Sequence, residues 1–395
     1  MGLPALRRSL LALAGSGTVP RLDAAGWQTL NRLAAIHRLQ PLLHAERGHD
    51  PAIPAEVREN WKTAHRLCAI QALAIRAALE ECHALLERAG HQPIALKGAW
   101  LTRHAYPQAA MRPMRDVDIW VPAEQVMDAF QALRGAGYVE LEPAEMTLAD
   151  SVRLDKHLPA LLSPRGVPVE LHHRLWEPHG RLDHASPRAD ETAIRNRAVL
   201  DEGGIRMLAP RDTLAHLVVH AVYSHRFDCG PLLLSDIDFL CRAASIDWPQ
   251  FWAEAEAGRW QAGARLAFEL VRHWRPQARI ELAGDPVPPE LAGAACDLLL
   301  QDLGTRQSAQ LAAATLKGGA ARLLQRSRGR RSAKGEAPAR RDMSHAGGAL
   351  GWAFSRGWRS VSQLARLDVR RQSRQLAALS IWLDSLQSLA QGDLW

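Results

Sequence analysis

Apolar residues recur at helical spacing through the first 90 residues. Trp27, Leu30, Leu33 and Ala34, followed by Leu42 and Leu43, mark short amphipathic helices, and Val57, Trp61, Cys68, Ile75, Leu79, Cys82 and Leu86 mark one face of a longer one. Gly90 is placed to end it. The period then changes. Pro93-Ile94-Ala95-Leu96 reads as a short buried strand, residues 116–121 as a second, and residues 123–135 as an amphipathic helix carrying Val126, Phe130 and Leu133. Gly135 and Gly137 break that helix before Tyr138-Val139-Glu140-Leu141, a third expected strand.

A hairpin follows. Residues 157–162 and 167–172 flank Ser163-Pro164-Arg165-Gly166, a turn with proline and glycine at favourable positions. After about residue 176 the pattern returns to helix. Pro210-Arg211-Asp212 opens one with Leu214, Leu217, Val218 and Ala221 on its buried face, and further helices are expected at 231–244, 248–257, 260–275, 288–303 and 306–326. Residues 326–347, rich in Arg, Ser, Gly and Ala, read as a flexible basic linker, and residues 348–392 as a helical tail with Leu364, Leu367, Leu376, Leu379, Trp382 and Leu386. The expected divisions are 1–90, 91–175, 176–325, 326–347 and 348–395.

With 395 residues, 47% apolar and 23% charged, the composition is that of an ordinary globular protein. No apolar run reaches the roughly 20 residues that a membrane span needs. The start, Arg7-Arg8-Ser9-Leu10-Leu11-Ala12-Leu13-Ala14, has the flavour of an export signal, but its apolar run is short and reads as an ordinary first helix. Five cysteines without a C-x-x-C pair indicate neither a zinc site nor a disulfide framework, so a reducing, cytoplasmic location and a soluble protein are expected. The net charge of +7 sits mostly after residue 320. Without interleaved aromatic residues, that basic stretch reads as a solvated linker rather than a nucleic-acid site.

The candidate chemistry lies in the strands. Successive strand residues point to opposite faces, so Val117, Ile119 and Val121 can enter a core while Asp116 and Asp118 project together. Adjacent carboxylates repel each other unless a cation lies between them, and a hard divalent ion such as Mg²⁺ suits them. In the second hairpin arm Val167, Val169 and Leu171 share one face, Glu170 and His172 the other. If the two strands are sheet neighbours, all three acids can converge.

Leu96-Lys97-Gly98, the run Arg112-Pro113-Met114-Arg115-Asp116-Val117-Asp118, Val121-Pro122 and Val169-Glu170-Leu171-His172 together resemble the bacterial uncharacterised nucleotidyltransferase family of the DNA polymerase beta-like superfamily. The resemblance extends upstream to Ala35-Ile36-His37-Arg38-Leu39-Gln40-Pro41 and downstream to Leu234-Ser235-Asp236-Ile237-Asp238, covering residues 25–245. It implies an α+β fold: a small mixed β-sheet nucleotidyltransferase core at 91–175, flanked by N-terminal and C-terminal helical regions. It also implies transfer of an NMP group from an NTP, ATP by expectation, to a hydroxyl-bearing small molecule, peptide or protein. Asp116 and Asp118 would hold Mg²⁺ or Mn²⁺, with Glu170 as the third acid that helps bind metal and accepts the acceptor's proton. Two metal ions about 3.5–4 Å apart can neutralise the triphosphate, activate the acceptor and stabilise the leaving pyrophosphate. Lys97, Gly98, Arg112, Arg115 and His172 are the expected nucleotide-binding residues. The superfamily's Gly-Ser or Gly-Gly pair is here Gly98-Ala99, so no hydroxyl is available to hold the triphosphate, and the spacing from Gly98 to Asp116 exceeds that of compact members.

Plainer readings stand beside these. Lys97 also reads as a strand-end surface cation, and Arg112 and Arg115 as surface partners of Glu124 or Asp128. His172 could orient Glu170, touch substrate or make a structural hydrogen bond, and His157 faces it from the other arm. His216 and His220 share a helical face without a third ligand, which favours hydrogen bonding in a core. Asp236 and Asp238 lie in a helical segment where i and i+2 diverge, so Asp236 reads as structural or as a contact to the catalytic core. Two other functions remain open: an NTP-binding pseudoenzyme acting through a protein partner, and a nucleic-acid-binding protein using its basic tail.

Overall fold

A computed structural model describes residues 2–141, 147–177, 187–301 and 367–389, with 306, 309, 310 and 313. It forms two compact units, Met1–His225 with Cys229–Val287, and Arg226–Asp228 with Pro288–Trp395. The first unit opens with helices α1 (Leu3–Leu13), α2 (Ala24–Ile36), α3 (Gln40–Arg47) and α4 (Ala55–Arg88). Leu6, Leu10, Leu11 and Leu13 of α1 are buried, so the twin-arginine stretch is an integral helix of the fold. Asp23 caps α2 by accepting the Gly26 N–H at 2.8 Å. All seven apolar positions predicted along α4 are buried, and Gly90, with φ +87°, turns the chain after it.

The sheet is mixed and has seven short strands: β1 (Ile94–Ala95), β2 (Val117–Trp120), β3 (Val139–Glu140), β4 (Leu161–Leu162), β5 (Pro168–His172), β6 (Val199–Leu200) and β7 (Arg206–Met207), in the order β3-β4-β5-β2-β1-β7-β6. The α+β expectation holds. The predicted hairpin joins β4 to β5, with Gly166 at φ +74° in its turn and Ser163 N–H bonded to Val167 O at 2.9 Å. Its first arm is regular strand only at 161–162. Helical periodicity after residue 176 concealed the hairpin β6–β7, which docks on β1 through Ala95 beside Met207. Two-residue strands are too short to display a period of two. Their turn is organised instead by Asp201, whose carboxylate accepts the N–H of Gly203 at 2.9 Å and of Ile205 at 2.8 Å.

Helices α5 (Gly98–Trp100), α6 (Val126–Gly135), α7 (Leu148–Leu154), α8 (Glu191–Asn196), α9 (Pro210–Val219), α10 (Leu232–Ala243), α11 (Trp248–Ala257) and α12 (Gln261–Trp274) complete the unit. α4 and α6 pack against the sheet. Two π-helical turns extend α5 and α9, at Leu101–Ala105 and His220–Ser224. Such turns occur often at functional sites. In the second unit α13 (Pro289–Leu299) packs against α14 (Leu367–Leu389), and Asp297 accepts the Gln375 amide at 2.7 Å. The expected basic linker at 326–347 lies outside the described residues. No helix among the described residues is long and apolar enough to cross a membrane.

Candidate active site

The site is built on the central pair of strands. β2 and β5 run parallel, and their register puts Asp118 directly beside Glu170 and Trp120 beside His172. The two acid-bearing strands are neighbours, as the alternation required, but the group they bring within 4.8 Å is Asp118, Glu170 and His172, and Asp116 lies outside it. Asp116 immediately precedes β2, and all four residues of β2 are buried, so Asp118 is enclosed rather than displayed on an open polar face.

Asp118 is the centre of the hydrogen bonding. Its Oδ1 accepts from Lys97 Nζ at 2.8 Å and lies 2.9 Å from His172 Nε2. The same nitrogen of His172 stands 3.5 Å from Glu170 Oε2, so one fully buried imidazole bridges two carboxylates. Asp118, Glu170 and His172 each offer a ligand atom within 4.8 Å of the others, the one such group of three among the described residues. His157 lies against this bridge, its ring 5.2 Å from that of His172.

These contacts set the proton affinities of the three acids apart. Burial raises the proton affinity of Asp118, but Lys97 and His172 outweigh it and hold the carboxyl well below its usual range. Glu170 is lowered in the same way, burial being overcome by the His172 hydrogen bond. Asp116 goes the other way. Burial, then repulsion by Asp118 and Glu170, push its carboxyl up to about 6 despite Lys97 and Arg112. Asp118 and Glu170 still repel charge at Asp116 despite the cations nearby, and crowded carboxylates of this kind fit a divalent cation. Two or three carboxylates suit Mg²⁺ or Mn²⁺, while His172 Nε2, bonded to two carboxylates that only accept, carries a proton and orients them rather than donating to the metal.

Lys97 reaches the acids from an unusual backbone. It sits at φ +45° and ψ −111° between β1 and α5, a conformation costly for a residue with a Cβ. Leu96 N–H donates to Asp118 O at 3.0 Å and ties that turn to β2. Gly98 follows with negative φ, and its missing side chain has a packing reason: a Cβ there would meet Arg112 Nη1 at 2.6 Å and Met114 Cε at 2.9 Å. Ala99 is buried and brings no hydroxyl.

Arg112 does not pair with Glu124 or Asp128. Its Nε and Nη2 donate to the two oxygens of Asp236 at 2.7 and 2.9 Å, and the Tyr106 hydroxyl adds a third bond to Asp236 at 2.7 Å. Asp236 is therefore a contact from α10 to the segment before β2, one of the two roles that its spacing suggested. Asp238 faces away, toward Arg275 at 2.6 Å and Arg242 at 2.8 Å. Arg115 is exposed and, like Arg38, has no carboxylate at ion-pair distance among the described residues.

Arg38 is the residue that pattern reasoning passed over. It has φ +56°, and burial together with Arg115 and Arg112 pushes its guanidinium down to about 10, with Asp116 acting in the opposite sense. The charges of Arg112, Arg115 and Asp116 are thus all felt at Arg38. The available signal was the segment Ile36-His37-Arg38-Leu39 within the resemblance, which no local periodicity distinguishes from a helix end. His216 also differs from expectation. It is 2% exposed, yet neither ring nitrogen has a hydrogen-bond partner among the described residues; the ring stacks on His220 at 6.0 Å instead.

No curated protein shows significant similarity to the chain. The model of one family does match, over residues 23–276, a span that contains β1 to β7, the acids of β2 and β5, Lys97, Arg38 and Asp236. On that match the chain belongs to the family described as uncharacterised nucleotidyltransferase.

Proposed function

We propose that the protein is a metal-dependent nucleotidyltransferase that moves an NMP group from an NTP, with ATP as the expected donor, to a hydroxyl-bearing small molecule, peptide or protein. The observation that carries this reading is the register of β2 and β5, which sets Asp118 beside Glu170 with His172 between them. Asp116, Asp118 and Glu170 would hold Mg²⁺ or Mn²⁺. When bound, the metal supplies charge neutralisation for the triphosphate and lowers the proton affinity of an oxygen near it.

The chain's own groups divide the remaining work. Lys97, Arg38 and Arg115 supply positive charge for the polyphosphate, in place of the hydroxyl missing at Ala99, and Arg112, whose charge Asp236 already balances, walls the turn that carries Lys97. Gly98 keeps the turn free of a side chain. His172 orients Asp118 and Glu170. In the transfer an acceptor oxygen forms a bond to the α-phosphorus, the bond from that phosphorus to the β-phosphate oxygen breaks, and pyrophosphate leaves. The acceptor's proton passes to Glu170.

The test is incubation with α-labelled NTPs, Mg²⁺ or Mn²⁺ and a host extract, with identification of any labelled acceptor. Pyrophosphate release and label transfer are expected from the native chain and not from Asp116→Asn or Asp118→Asn. Labelling that survives both substitutions removes the site assignment. The buried Ala99 favours one second reading, an NTP-binding regulatory module acting through a protein partner. That protein would bind the metal–NTP complex, release no pyrophosphate and label nothing.

A further inference from the structure

The arrangement around Asp118 Oδ1 goes beyond the identity of the ligands. A carboxylate oxygen has two lone pairs in the carboxylate plane. Here two donors approach that one oxygen, Lys97 Nζ at 2.8 Å and His172 Nε2 at 2.9 Å. A cation coordinated by Oδ1 would displace one of them, and one coordinated by Oδ2 would share the carboxylate with the Lys97 ammonium and repel it at short range. His172 is fully buried, part of β5, and its N–H side also faces Glu170. Lys97 is different. It hangs on a flexible four-carbon stem from a strained turn, and its side chain keeps 15% of its exposure. The ammonium is the group able to move.

An ammonium torn from a buried carboxylate needs another anion, because leaving it uncompensated in a low-dielectric site is costly. A free divalent cation brings none. A metal–NTP complex brings a triphosphate, a strong anionic acceptor for the displaced amine. Arg38 and Arg115, which have no carboxylate at ion-pair distance among the described residues, add positive charge for that triphosphate next to Asp116.

We propose that Lys97 is an internal counter-ion that makes the metal site selective for the metal–nucleotide complex over the free metal: it occupies Asp118 when no nucleotide is bound and exchanges to the triphosphate when one arrives. The proposal rests on the reading of Asp116, Asp118 and Glu170 as a metal site for nucleotidyl transfer. It adds an order to events, with metal binding alone held weak and made strong by nucleotide.

The experiment is titration of the full chain with Mn²⁺, following free Mn²⁺ by electron paramagnetic resonance and heat by calorimetry. It is done with and without α,β-methylene ATP, which cannot transfer its nucleotidyl group. In the native chain the analogue should tighten Mn²⁺ by roughly tenfold or more, the equivalent of one modest ion-pair exchange. Lys97→Met should bind Mn²⁺ alone roughly tenfold tighter than the native chain, while binding the analogue more weakly. These opposite signs are the signature, since a merely misfolded variant weakens both. Lys97→Gln, neutral and still able to hydrogen bond, repeats the comparison if the methionine variant does not fold. Equal or weaker Mn²⁺ binding in the neutral variants overturns the proposal. Asp118→Asn separates it from the underlying reading: loss of Mn²⁺ binding there supports the metal site, and unchanged binding overturns both.

Discussion

Arg112 and Asp236, 124 residues apart in sequence, form a two-point ion pair at 2.7 and 2.9 Å, and that pair is what fastens the loop before β2 to helix α10. The guanidinium fork matches the carboxylate plane, and Tyr106 completes the shell of Asp236. Burial opposes the charge of Arg112, and the contact with Asp236 more than restores it. Because Arg112 Nη1 lies against Gly98, the pair also sets the wall of the turn that carries Lys97.

Asp236→Asn should therefore cost both stability and activity. It leaves a guanidinium that is only 14% exposed without its counter-charge. Removal of one member of a buried pair typically costs about 3–5 kcal/mol. Denaturant unfolding of the metal-free protein measures it. A loss below about 1 kcal/mol would mean that the pair behaves as an ordinary surface contact.

Gly98→Ala should disturb the site by overpacking. The new Cβ meets Arg112 Nη1, which Asp236 prevents from yielding, and the more pliable Met114. An overpacked position of this kind costs about 1–3 kcal/mol. Adding Met114→Ala should recover part of the stability but not the pyrophosphate release, because the clash with Arg112 remains. Full recovery of both would argue against the pinned arginine.

Asp116→Asn should stabilise the metal-free protein at neutral pH while abolishing transfer. With its folded-state value near 6 and an ordinary value of 3.8, Asp116 binds a proton more readily folded than unfolded. Its charge therefore opposes folding above that range, and relief comes as pH falls through about 6. The gain on neutralisation is on the order of 1–3 kcal/mol at pH 7.5, shrinking toward pH 5. Unfolding midpoints of the two proteins at those pH values test the sign.

Histidines sunk wholly or partly into the fold act in the opposite direction. Burial, aided by Arg7, pushes His37 down to about 4, and burial with neighbouring cations holds His216 and His220 well below 6.5. The unfolded chain takes up protons below pH 6.5 that the folded chain refuses, so stability is full above 6.5 and falls with acidification. For His37 the loss is complete near pH 4. Each such group adds up to about 1.4 kcal/mol per pH unit to the slope. His37→Gln should flatten the stability profile between pH 6.5 and 4 by close to one proton; an unchanged slope would show that His37 titrates normally in the folded state.

Much of the core was legible from side-chain periodicity. The buried face of α4, the helices at 210–219, 232–243 and 248–257, and the alternation of residues 167–172 depend on neighbours a few positions away, and hydrophobic spacing records them directly. The acids Asp116, Asp118 and Glu170 were visible for the same reason. The hairpin at 199–207 was not, since two strands of two residues carry no period and are held by Asp201 and by the edge of β1.

By itself, then, the sequence determined which residues could face a core and which carboxylates could share a sheet face, because those are properties of short segments with fixed geometry. Only the tertiary structure decided that β2 and β5 are parallel neighbours in the register that joins Asp118 to Glu170. It also assigned Arg112 to Asp236 and Lys97 to Asp118, and brought Arg38 toward the acids. Strand pairing and ion pairing between distant segments depend on chain packing and on which charges share a low-dielectric interior, and local periodicity does not encode either choice.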